Sequence, residues 1–108
     1  MEKKSGTEQA VERVREMEDI LNRHREEIEA MKKALQTFKD SQREYQKLVK
    51  YYYSRHFQSD DRRWSRGELA ELPSVEVLTE DAIWDLMGDS YELTLDMLEL
   101  ATTMIRNR

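Results

Sequence analysis

An apolar heptad repeat over residues 10–52 is the feature that most constrains how this chain can fold. With Val14 as position a of the heptad, positions a and d are apolar everywhere except at His24 and Gln42. No glycine or proline interrupts the repeat, and charged side chains fill its outer positions. The pattern therefore predicts one long helix over residues 7–53.

A helix of this length is difficult for the rest of the chain to cover. At the α-helical rise the repeat would span ~65 Å, whereas a compact domain of this size has a radius of gyration near ~13 Å. A hairpin with a break within 37–44, where Ser41 and Glu44 form a capping-box pattern, is one solution. The heptad phase passes through that region without a slip, which favours an unbroken helix covered by another subunit.

The middle of the seam formed by positions a and d is the predicted contact surface. We expect a homodimer whose helices meet there, in either a parallel or an antiparallel arrangement, and a different protein partner is the alternative. His24, the histidine in the seam, is interpreted as a polar residue that fixes the register of the paired helices rather than as a metal ligand. The predicted interface residues are Leu21, His24, Ile28, Met31, Leu35 and Phe38.

The C-terminal half predicts shorter helices after an irregular connection. Residues 54–78 are expected to form a linker with one short helical turn. Thr79 is the expected N-cap of a helix that ends at Gly88, and a last helix follows to about Arg106. Both are expected to pack back on the long helix, completing a single all-α domain over residues 1–108.

Charge is unevenly distributed along this half of the chain. Residues 43–66 contain seven basic and three acidic residues, whereas residues 67–105 contain ten acidic residues and no lysine or arginine. Opposite potentials of this kind set the register of contacting surfaces. The two segments are therefore expected to face each other, either within the fold or across an interface.

Arginines and aromatic residues are interleaved within residues 51–66, which indicates a second candidate function. Such residues can grip an anionic ligand or stack on nucleic acid bases. The formal net charge of -5 argues against nucleic acid as the partner. The structural alternative is that the aromatics close the helical core while the arginines meet the acidic segment. The candidate ligand-binding residues are Tyr52, Arg55, Arg62, Arg63, Trp64 and Arg66.

The stretch 77–86, VLTEDAIWDL, carries a family resemblance. Together with Tyr51, Tyr52 and Ser54 in an aromatic stretch, and Gly67 in the linker, it resembles the family known as domain of unknown function 4298. The sequence departs from the family pattern in carrying Phe57, Ala70 and Glu76 where a tryptophan, a proline and a glycine are expected. The resemblance spans about residues 14–98 and implies a bacterial helical protein without an assigned activity.

Several classes of site have no support in the sequence. The chain has no cysteine, which excludes disulfides and thiolate metal sites, and it has no recognisable phosphate-binding, calcium-binding or catalytic-triad pattern. We therefore expect no enzyme activity, no metal and no cofactor. With no apolar run of signal-peptide or membrane-spanning length, the protein is interpreted as cytoplasmic and not associated with membranes. The favoured function is a structural or protein–protein interaction module.

Overall fold

A computed structural model describes residues 3–108 of the chain. It contains three α-helices: α1 spans Gly6–Tyr52, α2 spans Arg55–Ser65 and α3 spans Ala82–Arg106. A short 3₁₀ turn at Glu76–Leu78 precedes α3, and no strand occurs in the described residues. The prediction of an all-α fold with one long helix and two shorter ones is therefore confirmed.

Helix α1 begins at its own N-cap and continues through the heptad region. The Ser5 hydroxyl accepts a hydrogen bond from the Glu8 backbone N–H at 3.1 Å, so the helix starts at Gly6. The proposed capping-box residue Ser41 instead donates its hydroxyl to the Phe38 carbonyl at 2.9 Å. This bond leaves the helical backbone intact, and α1 is unbroken where the alternative hairpin would have turned.

Contacts divide the chain into two compact units, Met1–Gln42 and Arg43–Arg108. The first unit consists of most of α1. The second contains the last turns of α1, both shorter helices and the 3₁₀ turn. The assignment of the whole chain to one domain stays a prediction.

The predicted linker is largely helical, which corrects the sequence-based expectation. Ser54 caps α2 by accepting a hydrogen bond from the Phe57 N–H at 3.4 Å. The helix ends in a Schellman motif, in which the Gly67 N–H donates to the Trp64 carbonyl at 2.9 Å and the Glu68 N–H donates to the Arg63 carbonyl at 3.0 Å. Both termini carry standard capping residues, but the charged and irregular composition between them concealed an amphipathic helix of only three turns.

The predicted boundaries at Thr79 and Gly88 are wrong. Thr79 ends the 3₁₀ turn, where its hydroxyl donates to the Glu76 carbonyl at 2.6 Å, and α3 begins only at Ala82 with Asp81 as N-cap. Gly88 lies inside α3, so no second helix begins at Asp89 or Ser90. A glycine ends a helix when it takes the left-handed conformation, which Gly88 does not adopt.

A small apolar cluster forms the interior of the C-terminal unit. Leu78 and Ile83 are 6% and 2% exposed, and they are the buried hydrophobic residues among those described. The 3₁₀ turn that contains Leu78 contacts both α2 and α3. Within residues 43–108, α3 contacts this turn rather than the last turns of α1, so the expected packing of the last helix along the first is wrong there.

Candidate functional site

The predicted seam lies on α1 with its apolar side chains exposed. In the unit Met1–Gln42, Leu21 and Ile28 are each 44% exposed and Met31 is 51% exposed. Leu35 and Phe38 also lie on the surface. Because residues seven apart on an α-helix recur on nearly the same face, these side chains form one apolar strip, which His24 interrupts.

One of the shallow grooves on the first turns of α1 lies on the N-terminal part of this strip. It is lined by the apolar residues Val14, Met17 and Leu21 and by the charged residues Arg13 and Glu18. A groove between successive turns, with an apolar floor and charged edges, is the shape that accepts a side chain from a second helix.

His24 is exposed within the same strip. Its side chain is 65% exposed, and its Nδ1 lies 3.7 Å from Oε2 of Glu27, one turn further along the helix. Across the described residues 3–108, no group of three or more histidine, aspartate or glutamate side chains stands close enough to hold a metal ion. His24 is therefore placed as a polar residue in the strip, flanked by one carboxylate.

The second candidate surface, on α2, divides into two faces. Arg55, Arg62 and Arg66 recur at spacings of seven and four residues, which places them on one side of the helix. Phe57 and Asp60 lie on the opposite side and are half-buried. We call the arginine-bearing side the arginine face of α2.

The aromatic members of the predicted ligand site do not join the arginines. Tyr52 is half-buried, with its ring centroid 5.3 Å from that of Phe57 and 5.0 Å from that of Tyr53. Trp64 is 44% exposed but is two residues from Arg62, which places it on the other side of α2. The structure therefore places Arg55, Arg62 and Arg66 on one side of α2 and leaves Arg63, Tyr52 and Trp64 out of the arginine face.

A single carboxylate engages two of the arginines. Oε1 of Glu68 lies 3.6 Å from Arg63 Nη1, and Oε2 accepts a hydrogen bond from Arg66 Nε at 2.9 Å. Among the described residues, no carboxylate lies within ion-pairing distance of Arg55 or Arg62, so their charges are directed to solvent. Glu68 was not singled out from the sequence, although it directly follows Gly67, at the position where a Schellman motif brings a side chain back toward the last turn of the helix.

The junction of α1 and α2 is fixed by Tyr51, which sequence analysis assigned only to the aromatic stretch. Its hydroxyl donates to Oδ2 of Asp60 at 2.7 Å, and its ring meets Phe57 edge-on at 5.6 Å between centroids. Burial, then the hydrogen bond to Asp60 and the negative charge of that carboxylate, raises the pKa of Tyr51 to about 12. This corner has a structural role, because its polar groups satisfy one another.

The acidic segment also forms a surface. Asp85, Asp89, Glu92, Asp96 and Glu99 recur at alternating spacings of four and three residues, which places them along one side of α3. The expected pairing of the basic and acidic segments is limited, within residues 43–108, to the contacts of Arg63 and Arg66 with Glu68. The acidic side of α3 and the arginine face of α2 do not form ion pairs with each other in this unit.

No described helix combines the length and apolar character that crossing a membrane requires.

The comparisons with known proteins identify a family. None of the curated proteins and none of the solved structures compared with the chain matches it. A family model described as "Domain of unknown function (DUF4298)" matches residues 14–100, which include most of the seam, α2 and most of α3. Because this match covers well over half of the sequence, the chain belongs to the DUF4298 family.

Proposed function

We propose that the protein is a non-enzymatic interaction module that forms a homodimer through the apolar strip on α1. The observation that carries this proposal is the exposure of the strip in the single chain. Leu21, Ile28 and Leu35 each leave close to half of their surface in contact with water. An exposed and contiguous apolar surface of this kind marks an interaction site.

The energetics favour a helical occupant. Fully burying an aliphatic side chain contributes about 1.5–3 kcal/mol, so covering the remaining half of each contributes roughly 1 kcal/mol per residue. The strip continues over several heptads, and the free energies of burying its side chains add up along the helix. A second helix with the same repeat covers the strip from end to end, whereas a small ligand would cover only one or two layers.

Replacing Ile28 with aspartate tests this proposal. The variant would place a charge with no counter-ion at the centre of the contact, and we expect a monomer in sedimentation equilibrium. Asn22→Asp is the matched control, because it adds the same charge at an exposed position outside the strip. If Ile28→Asp sediments as the same dimer as the control, the strip is not the contact surface.

A second candidate function is binding of an anionic ligand by the arginine face of α2. The favouring observation is that Arg55 and Arg62 share a face and that no described carboxylate neutralises them. Guanidinium groups are suited to phosphate and carboxylate groups because they present several donors in a fixed plane. Glu68 would oppose such binding, since its carboxylate is already paired with the guanidinium groups of Arg63 and Arg66.

Titration with tripolyphosphate, followed by isothermal titration calorimetry, tests this second function. Arg62→Gln should weaken binding, whereas Glu68→Gln should strengthen it by releasing two further guanidinium groups. Lys33→Gln removes one positive charge from α1 and serves as the control for non-specific attraction. Equal affinities for all of these variants would eliminate the arginine face as a site.

A further inference from the structure

The positions that flank the apolar strip carry charges in a pattern that distinguishes between helix orientations. With Val14 at position a, the flanking positions of the heptad are e and g. In a parallel dimer, a side chain at g lies beside the side chain at the next e of the partner, five residues further along. The e residues are Glu18, Arg25, Lys32 and Lys39, and the g residues are Arg13, Ile20, Glu27 and Ala34.

We propose that α1 pairs with α1 of a second copy in a parallel, in-register arrangement. Arg13 then lies beside the partner's Glu18, and Glu27 lies beside the partner's Lys32. Each pair occurs twice because of the two-fold axis. The proposal rests on the proposed function, because it specifies the geometry of that same homodimer.

The side chains required for these pairs are available in the structure. The Glu27 side chain is 74% exposed and that of Lys32 is 71% exposed. Their contacts within α1 are long, at 3.7 Å from Glu27 to His24 and 3.6 Å from Lys32 to Glu29. Exposed contacts at such distances contribute little, so both groups can turn toward a partner at small cost.

The remaining flanking pairs bring no like charges together. Arg25 lies beside the partner's Ile20, and Lys39 lies beside the partner's Ala34. In both cases the aliphatic stem of a basic residue packs on an apolar side chain while its charge stays in water. The parallel register therefore combines two kinds of attractive pair with no repulsive pair over residues 13–39.

The groove lined by Val14, Met17 and Leu21 fits the same arrangement. Four of its residues, Val14, Met17, Glu18 and Leu21, occupy successive positions a, d, e and a. In a parallel coiled coil, these four positions form the hole that receives the side chain at position d of the partner. In register, the partner's Met17 is the side chain that enters this groove.

The two polar seam residues argue against antiparallel pairing. Antiparallel helices match position a with position d, so His24 would meet an aliphatic side chain in every alignment except the one that places it against Gln42. The antiparallel alignment that places His24 against Gln42 sets Arg25 beside the partner's Lys39 and Lys32 beside the partner's Lys32. Both of these pairs are repulsive. The parallel register instead matches His24 with the partner's His24 and avoids burying an imidazole against a purely apolar layer.

Charge reversal at one flanking pair tests the orientation. In Glu27→Lys, lysine faces the partner's Lys32, and in Lys32→Glu, glutamate faces the partner's Glu27. We expect each variant alone to self-associate roughly tenfold more weakly than the parent, with the loss diminished at high salt. An equimolar mixture should form heterodimers with the affinity of the parent, because both pairs are again attractive.

The matched controls are Glu26→Lys and Lys33→Glu, which make the same charge changes at position f on the outer side of α1. They should self-associate like the parent and should show no preference for each other. Sedimentation equilibrium of each variant and of each mixture provides the measurement. Dimers that respond equally to changes at positions 26 and 27 would overturn the proposed orientation.

Disulfide formation provides a second test, since the parent chain has no cysteine. Leu21→Cys should form a covalent dimer in a glutathione redox buffer, because identical a positions meet in a parallel register. Lys33→Cys, on the outer side, should remain largely unlinked. A protein that sediments as a dimer without linking through position 21 overturns the orientation alone, whereas a monomeric parent overturns the proposed function as well.

Discussion

At the scale of single residues, Gly67 and Gly88 occupy opposite backbone conformations. Gly67 has a φ of 79° and provides the left-handed residue of the Schellman motif that ends α2. Gly88 lies within α3 in a helical conformation, and beyond the adjacent backbone of its own helix a Cβ atom added there would meet no atom within 4 Å. The same substitution should therefore have opposite effects at the two positions.

We expect Gly67→Ala to destabilise the C-terminal unit by about 1–2 kcal/mol, because the new Cβ would clash with the backbone in the left-handed conformation. Gly88→Ala should stabilise it by about 0.5–1 kcal/mol, because alanine loses less backbone entropy in a helix. Urea unfolding followed by tryptophan fluorescence measures both changes. Each variant controls for the other, and two shifts of the same sign would contradict the assigned conformations.

At the scale of helices, the sequence pattern predicted α1 well because a long repeat averages over local irregularities. Its two polar seam residues did not disturb the phase, and the structure shows one continuous helix. The predicted range of 7–53 differs from the observed Gly6–Tyr52 by one residue at each end. The information lies in more than forty residues with a single period, so no individual position decides the result.

The shorter helices were predicted poorly because they depend on a few local contacts. Ser54 and Gly67 bound α2, but a helix of 11 residues carries too few apolar positions to show a period. Gly88 was interpreted as a terminator because a glycine has the same appearance in sequence whether it ends a helix or continues it. The separation of Trp64 from the arginine face was likewise invisible until α2 was recognised as a helix.

The hydrogen bond from Tyr51 to Asp60 joins α1 to α2 and should be visible in a pH titration. Burial and the adjacent carboxylate raise the pKa of Tyr51 from its ordinary value of 10.0 to about 12. A raised pKa means that the folded state favours the neutral phenol. The resulting stabilisation is fully present below pH 10.0 and is lost as the pH rises through about 12.

We therefore expect the tyrosinate absorbance of the folded protein to include one late step, and Tyr51→Phe should remove it. Asp60→Asn keeps an acceptor oxygen but removes the negative charge, so it should shift that step to lower pH without abolishing it. Difference titrations against the parent measure both effects. A late step that persists in Tyr51→Phe would show that another group causes it.

At the scale of the whole molecule, the chain leaves large apolar residues exposed in both of its units. Val14, Met17 and Met31 in the N-terminal unit and Leu98 and Ile105 in the C-terminal unit are each more than half exposed. A single helix gains little stability from propensity alone, and most helical stability in proteins comes from packing of an apolar face. If α1 gains that packing from a second copy, the thermal stability of the protein must depend on its concentration.

For a homodimer that unfolds to separate chains, a tenfold increase in concentration stabilises the folded state by about 1.4 kcal/mol. For a dimer of this size we expect the midpoint of helix melting to rise by roughly 3–6 °C per tenfold increase, as measured by circular dichroism. The Ile28→Asp variant should lose this dependence together with part of its helical signal, because an uncovered α1 frays. A parent protein whose melting temperature stays constant over a hundredfold range of concentration would not draw its stability from a second copy.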